Sequence, residues 1–142
     1  MTRPFLSVEN LVVRFPTSDG IVHATEGLSY TLERGKTLGI VGESGSGKSV
    51  SSSAILGLHH YTNAEVSGQI WLDGTDLLAL GDQQMRRRRG KDVSMIFQDP
   101  LSALHPYYRI GDQIGEAYRA HNRVPKPVAR ARTIEMLDRV GI

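Results

Sequence analysis

Three features of the sequence predict an α/β fold. The first third alternates like β-structure, a short apolar run at residues 37–42 leads into a glycine-rich loop and a helix-forming stretch, and the chain beyond Pro106 takes on helical spacing.

Leu11, Val13 and Phe15 fall on one face of a first strand, and Leu28, Tyr30 and Leu32 on one face of a second. Thr17-Ser18-Asp19-Gly20 between them supplies small and φ-permissive turn residues, so the two strands are expected to pair antiparallel. Glu33-Arg34-Gly35 makes the next turn. "TLGIVG" is then a nearly continuous apolar run, the pattern of a strand buried on both faces. "KSVSSSAILGL" reads as helix up to Gly57, and "GQIWLDG" and "DVSMIFQ" read as further strands. Strand, glycine loop, helix, strand is the order of an α/β fold with a parallel central sheet. After Pro106, Ile110, Ile114, Ala117 and Tyr118 keep helical spacing, Pro125 and Pro127 interrupt it, and Ile134, Leu137 and Val140 mark a second helix.

A chain of 142 residues suits one compact unit, and 39% apolar with 23% charged residues is ordinary for a globular protein. A net charge of +2 does not call for a nucleic-acid partner. The absence of cysteine excludes disulfides and thiolate metal sites, which fits a reducing compartment. The N-terminus does not read as a signal peptide, and no stretch approaches the roughly 18 apolar residues of a membrane span. A membrane role is therefore expected to run through a partner.

The chemistry concentrates at Gly42-Glu43-Ser44-Gly45-Ser46-Gly47-Lys48-Ser49, which fits G-x-x-x-x-G-K-[ST] at every fixed position. Glycines let the backbone curl until successive N–H groups point inward, a nest suited to phosphate oxygens, and the following helix adds its positive end. Gly42, Ser44, Gly45, Ser46 and Gly47 are expected to line the nest, Ser44 through its backbone, as is Glu43. Lys48 is expected to reach the β- and γ-phosphates of a nucleotide and the Ser49 hydroxyl to sit on Mg²⁺; by itself such a loop leaves kinases, GTPases and helicases open. The competing reading is a plain glycine turn between strand and helix. Gly35-Lys36-Thr37 also spells G-K-T, but Tyr30 occupies the place of the required glycine, so it reads as a turn.

"SVENLVVRF", "GLSYTLERGKTLGIVGESGSGKS", "VSGQIWLDGTDLLAL", "RRRRGKDVSMIFQDPLSALHP" and "RIGDQIGEAYRAH" together resemble the nucleotide-binding subunit of an ABC transporter, nearly from end to end. "MIFQDP" followed by "IGDQI" resembles the subfamily that powers dipeptide, oligopeptide and nickel uptake in bacteria. The resemblance implies an ABC-type P-loop NTPase domain: an antiparallel β subdomain and nucleotide-binding core over residues 1–97, then a glutamine loop and partial helical subdomain over 98–142. It implies that Phe15 stacks on adenine, although the phase of Phe15 with Leu11 and Val13 fits a core strand residue as well. It implies that Gln98 joins the Mg²⁺ shell, helps to place the attacking water and senses the membrane subunit. The implied partners are a second ATP-binding subunit, identical or not, permease subunits and, indirectly, a solute-binding protein, at the cytoplasmic face of the membrane.

Other residues carry less. Asp73 and Asp99 each end an apolar run and imitate a metal-holding strand end, but by the resemblance they fall before a β-turn and in the glutamine loop. The four arginines 86–89 suit a solvated face better than a nucleic-acid or lipid site. His23, His59, His60 and His105 lack metal-ligand spacing, and Trp71 is most simply core.

The family's signature sequence, Walker B aspartate, catalytic glutamate and γ-phosphate histidine are not among these residues, so the chain is expected to be the front part of such a domain. On that basis it is expected to bind ATP–Mg²⁺ weakly and to hydrolyse it negligibly by itself. Three readings stand: the ATPase subunit of an importer for peptides or a related small solute, a nucleotide-binding fragment without catalysis, and a soluble ABC-type ATPase acting on nucleic acid or the ribosome. The cargo is not legible in an ATP-binding half.

Overall fold

The structure, a computed structural model, describes residues 4–99 and 103–142. In order the elements are β1 (Leu6–Thr17), β2 (Gly20–Leu32), α1 (Lys48–Ile55), a 3-10 turn (Leu58–Tyr61), β3 (Glu65–Leu72), β4 (Thr75–Asp76), α2 (Asp82–Arg88), α3 (Ile110–His121) and α4 (Lys126–Arg139). Where length alone suggested one compact unit, the contacts divide the chain into two, residues 1–86 and 87–142.

The first unit is built on a four-stranded antiparallel sheet in the order β2-β1-β3-β4. The expected hairpin forms, with Thr17 opposite Gly20 across the Ser18-Asp19 turn. Alternation along β1 buries Val8, Leu11 and Val13, and β3 adds Ile70 and Leu72; Ala54, Leu56, Leu77 and Met85 complete the core. The shared face ends at Val13, because Phe15 is only half-buried, opposite the exposed Val22 near the hairpin tip. Trp71 is likewise half-buried rather than core. β1 is irregular where it meets β3: the register shifts between Glu9 and Val12, and Asn10 adopts φ 49°. Gly68 sits opposite with φ +107°, where a Cβ would lie 2.6 Å from the Asn10 oxygen and 2.7 Å from that of Glu9, so only glycine fits this bulge.

Two expected strands do not form. Residues 37–42 carry no ladder, leaving Leu38 and Ile40 about two-fifths exposed and Val41 93% exposed. Residues 92–98 make one isolated bridge, Arg89 to Val93, and Ile96 is also 93% exposed. The expected parallel central sheet is therefore not present among the described residues. A parallel strand takes its hydrogen bonds from neighbours brought alongside by crossovers, and among the described residues neither run joins a ladder of the sheet.

The second unit is a helical hairpin of α3 and α4. Gly115 of α3 approaches α4 so closely that a Cβ would stand 3.5 Å from Thr133 Oγ1, and Thr133 in turn donates to the Ala129 carbonyl at 2.9 Å. Pro125 caps α4 and Pro127 lies in its first turn, where a missing N–H costs nothing. Ahead of α3, Gln113 holds the loop it follows: its Oε1 accepts the His105 N–H at 2.8 Å, and its Nε2 donates to the carbonyls of His105 and Tyr108 at 3.0 and 2.9 Å.

Candidate phosphate-binding site

The glycine loop folds as a compact turn directly onto the N-terminus of α1. Ser46 N–H donates to the Glu43 carbonyl at 3.2 Å, and Ser51 N–H to the Gly47 carbonyl at 2.8 Å, opening the helix. Gly45 and Gly47 take φ +81° and +86°, a left-handed conformation that L side chains resist. Gly42 is glycine for a different reason, since a Cβ there would meet Ser46 Oγ at 2.7 Å. No side chain caps α1, so the N-terminal amides of the helix have no side-chain acceptor at the cap.

Lys48 closes the loop. Its Nζ donates to the Gly42 carbonyl at 2.7 Å, the Glu43 carbonyl at 2.6 Å and Ser46 Oγ at 3.1 Å. The ammonium is thereby held over the curl of the loop, beside the glycine where a side chain would intrude. Behind the loop, Ser51 and Ser52 donate to the Lys48 carbonyl at 2.8 and 3.2 Å, tying the first helical turn together. Ser49 is exposed in that same turn.

The sequence-expected residues divide accordingly. Gly42, Ser44, Gly45, Ser46, Gly47, Lys48 and Ser49 come together as one loop and helix start. Phe15 belongs to the same unit, at the far end of β1. Gln98 lies in the second unit, exposed in irregular chain after Phe97. Of the residues set aside, Asp73 occupies a turn at φ 48° and pairs with Arg34 at 2.9 Å, and Lys36 N–H closes a turn on the Glu33 carbonyl at 3.1 Å. Arg86 and Arg87 are exposed, while Arg88 pairs with Asp92 at 3.1 Å. His23 pairs with Glu26, and among the described residues no three metal-ligating side chains cluster.

Sequence reasoning missed the contact behind Gly47. This is the one buried residue of the loop, and a Cβ on it would lie 2.5 Å from the Ala24 oxygen and 2.6 Å from Thr25 Cγ2 of β2. Nothing local marks Thr25; only the folded hairpin brings it to the loop.

A glycine loop closed by lysine at a helix start defines a phosphate-loop protein. Residues 25–142 match the family model described as ABC transporter, and the chain belongs to that family. It is 49% identical over 138 residues to the dipeptide transport ATP-binding protein DppD of Bacillus subtilis, covering 96% of this chain and 41% of that one. It is 50% identical over 141 residues to the oligopeptide transport ATP-binding protein OppD of Mycobacterium tuberculosis, covering 98% of this chain and 23% of that one. The chain thus spans less than half the length of these relatives. The fold resembles a dimeric ATP-binding cassette, MJ0796, solved in a post-hydrolysis state with ADP and Pi, with TM-score 0.78 and 20% identity over 94% of this chain and 56% of that one. A second dimeric structure of that cassette superposes with TM-score 0.80 at the same coverage. The fold is accordingly an ABC nucleotide-binding domain in part, its antiparallel sheet and helices present here.

Proposed function

We propose that this chain is the phosphate-binding part of the ATP-binding subunit of a bacterial ABC importer for peptides or a related small solute. The observation that carries the reading is the loop of residues 42–49 curled beneath the Lys48 ammonium, within a chain of this family. The donor set suits a nucleotide triphosphate: a glycine loop, a cation and an uncapped helix start all favour negative charge. The cradle at Gly42 that a Cβ would fill leaves the backbone free to approach phosphate oxygens closely. Lys48 would hold the β- and γ-phosphates in place of its loop carbonyls, and Ser49 would offer a hard oxygen to Mg²⁺, which would neutralise phosphate charge. By the family resemblance Gln98 would offer a further oxygen to the metal and orient water, and Phe15 would offer a half-exposed aromatic face to the base.

In the same reading, residues 1–97 form the β subdomain and nucleotide core and 98–142 the glutamine loop with part of the helical subdomain. The importer setting rests on the peptide-transport names of the DppD and OppD relatives. It implies a second ATP-binding subunit, permease subunits and a position at the cytoplasmic membrane face. No helix among the described residues is long and apolar enough to cross a membrane, so attachment through permeases fits.

The test is titration with Mg²⁺–ATP followed by capture of permease subunits in detergent. Saturable binding abolished by Lys48→Ala, with permease capture, supports the reading. Salt-sensitive nucleic-acid binding without permease capture would replace the importer with a soluble ATPase.

A further inference from the structure

The hairpin meets the phosphate loop behind Gly47, at a bulge of β2. Val13 pairs with Thr25 and the next residue, Arg14, pairs with His23, so Ala24 falls between them with no opposite residue on β1. Its carbonyl leaves the ladder and faces Gly47, where it would stand 2.5 Å from an added Cβ. Thr25, buried, flanks it on the same side. The Thr25 hydroxyl donates to the buried Leu11 carbonyl at 3.1 Å, which orients the rotamer, and the methyl Cγ2 is thereby left against Gly47. Hydroxyl and methyl thus do separate things: one anchors the side chain in the hairpin, the other backs the loop.

We propose that Thr25 is a positioning residue for nucleotide binding, whose methyl group braces Gly47 and so holds the loop amides in their inward curl. This rests on the loop being a nucleotide site as argued above. Gly47 is the cap of α1 and its left-handed φ aims the chain into the helix, so freedom at Gly47 spreads to the amides on both sides. Residues 42–46 and Ser49 are exposed, and a Cβ at the other left-handed glycine, Gly45, would meet nothing within 4 Å.

Two near-isosteric variants separate the roles. Thr25→Ser keeps the hydroxyl and removes the methyl, whereas Thr25→Val keeps a methyl and removes the hydroxyl. Mg²⁺–ATP affinity, thermal midpoint and hydrogen exchange at the amides of residues 45–49 are measured on each in the complete protein. Thr25→Ser is expected to weaken Mg²⁺–ATP roughly three- to ten-fold and to speed loop exchange while the midpoint stays near native. Thr25→Val is expected to lower the midpoint by about 5 °C or more, through the unpaired Leu11 carbonyl, yet to bind nearly as the native protein does. Native binding and native loop exchange in Thr25→Ser would overturn the proposal, as would parallel losses in both variants, which mark a purely structural threonine. Failure of the native protein to bind Mg²⁺–ATP would instead remove the nucleotide reading, and loop exchange alone would then decide whether Thr25 braces Gly47.

Discussion

The Lys48 ammonium donates to the Glu43 carbonyl oxygen at 2.6 Å, so the residue expected to hold phosphate already holds the loop together. With the Gly42 carbonyl and Ser46 Oγ it has three partners, all within its own loop. Each is an acceptor that phosphate oxygens can replace without moving the backbone, which is a form of preorganisation. The resting loop is shaped by the same cation that would bind the ligand.

Lys48→Ala removes charge-assisted bonds each worth about 1.5–3 kcal/mol to an anionic ligand, so Mg²⁺–ATP affinity should fall about ten- to a hundred-fold. The carbonyls it releases are exposed and take water, so the melting temperature should move little. Nucleotide titration beside a thermal melt checks both halves; a large loss of stability with unchanged affinity would contradict the assignment.

The two left-handed glycines of the loop should differ sharply when replaced by alanine. At Gly45 a Cβ meets nothing within 4 Å, so only the backbone strain of about 1–2 kcal/mol applies. At Gly47 the same strain is joined by a collision with a backbone oxygen at 2.5 Å, which cannot swing aside. Gly47→Ala should therefore cost about 3 kcal/mol or more in denaturant titrations, with equal costs at both sites counting against the described packing.

Gln113 should govern the order of the loop from His105 to Tyr108. Gln113→Ala loses all three bonds, and the His105 amide should exchange faster by about ten-fold. Gln113→Glu keeps the acceptor for that amide while losing the donor to the two carbonyls, so His105 should remain protected. Equal exchange in the two variants would show that the bonds do not act separately.

Glu135 should carry a small acid-dependent contribution in the second unit. The hydrogen bond from Arg132 holds its carboxyl below the usual value, against the opposing effect of desolvation, with the Arg132 and Arg139 charges adding to the lowering. A folded-state value below the unfolded one means that the stabilisation is present above the unfolded value of about 4.3 and is lost as pH falls through the folded one. The pair is exposed, so the effect should shrink in high salt. Melts of Glu135→Gln and native protein should converge in acid and separate slightly at neutral pH.

Local chemistry made much of the molecule legible. The Thr17–Gly20 turn and the hairpin it closes, the helix after Lys48 and the two helices beyond Pro106 all follow from patterns a few residues long. The same holds for the phosphate loop, because glycine spacing, lysine and helix start are adjacent in the chain. Residues 37–42 and 92–98 have equally clear strand patterns, yet periodicity specifies what a segment would bury and not whether a neighbour lies beside it.

The amino-acid sequence by itself determined the phosphate loop, its lysine, the helix that follows it and the β1–β2 hairpin, since those depend on neighbours in the chain. The tertiary structure decided what lies behind the loop. Ala24 and Thr25 reach Gly47 only because β2 bulges opposite β1, and the Leu11 carbonyl turns the Thr25 methyl toward the glycine. That arrangement depends on strand register across more than ten residues of chain, which no local pattern records.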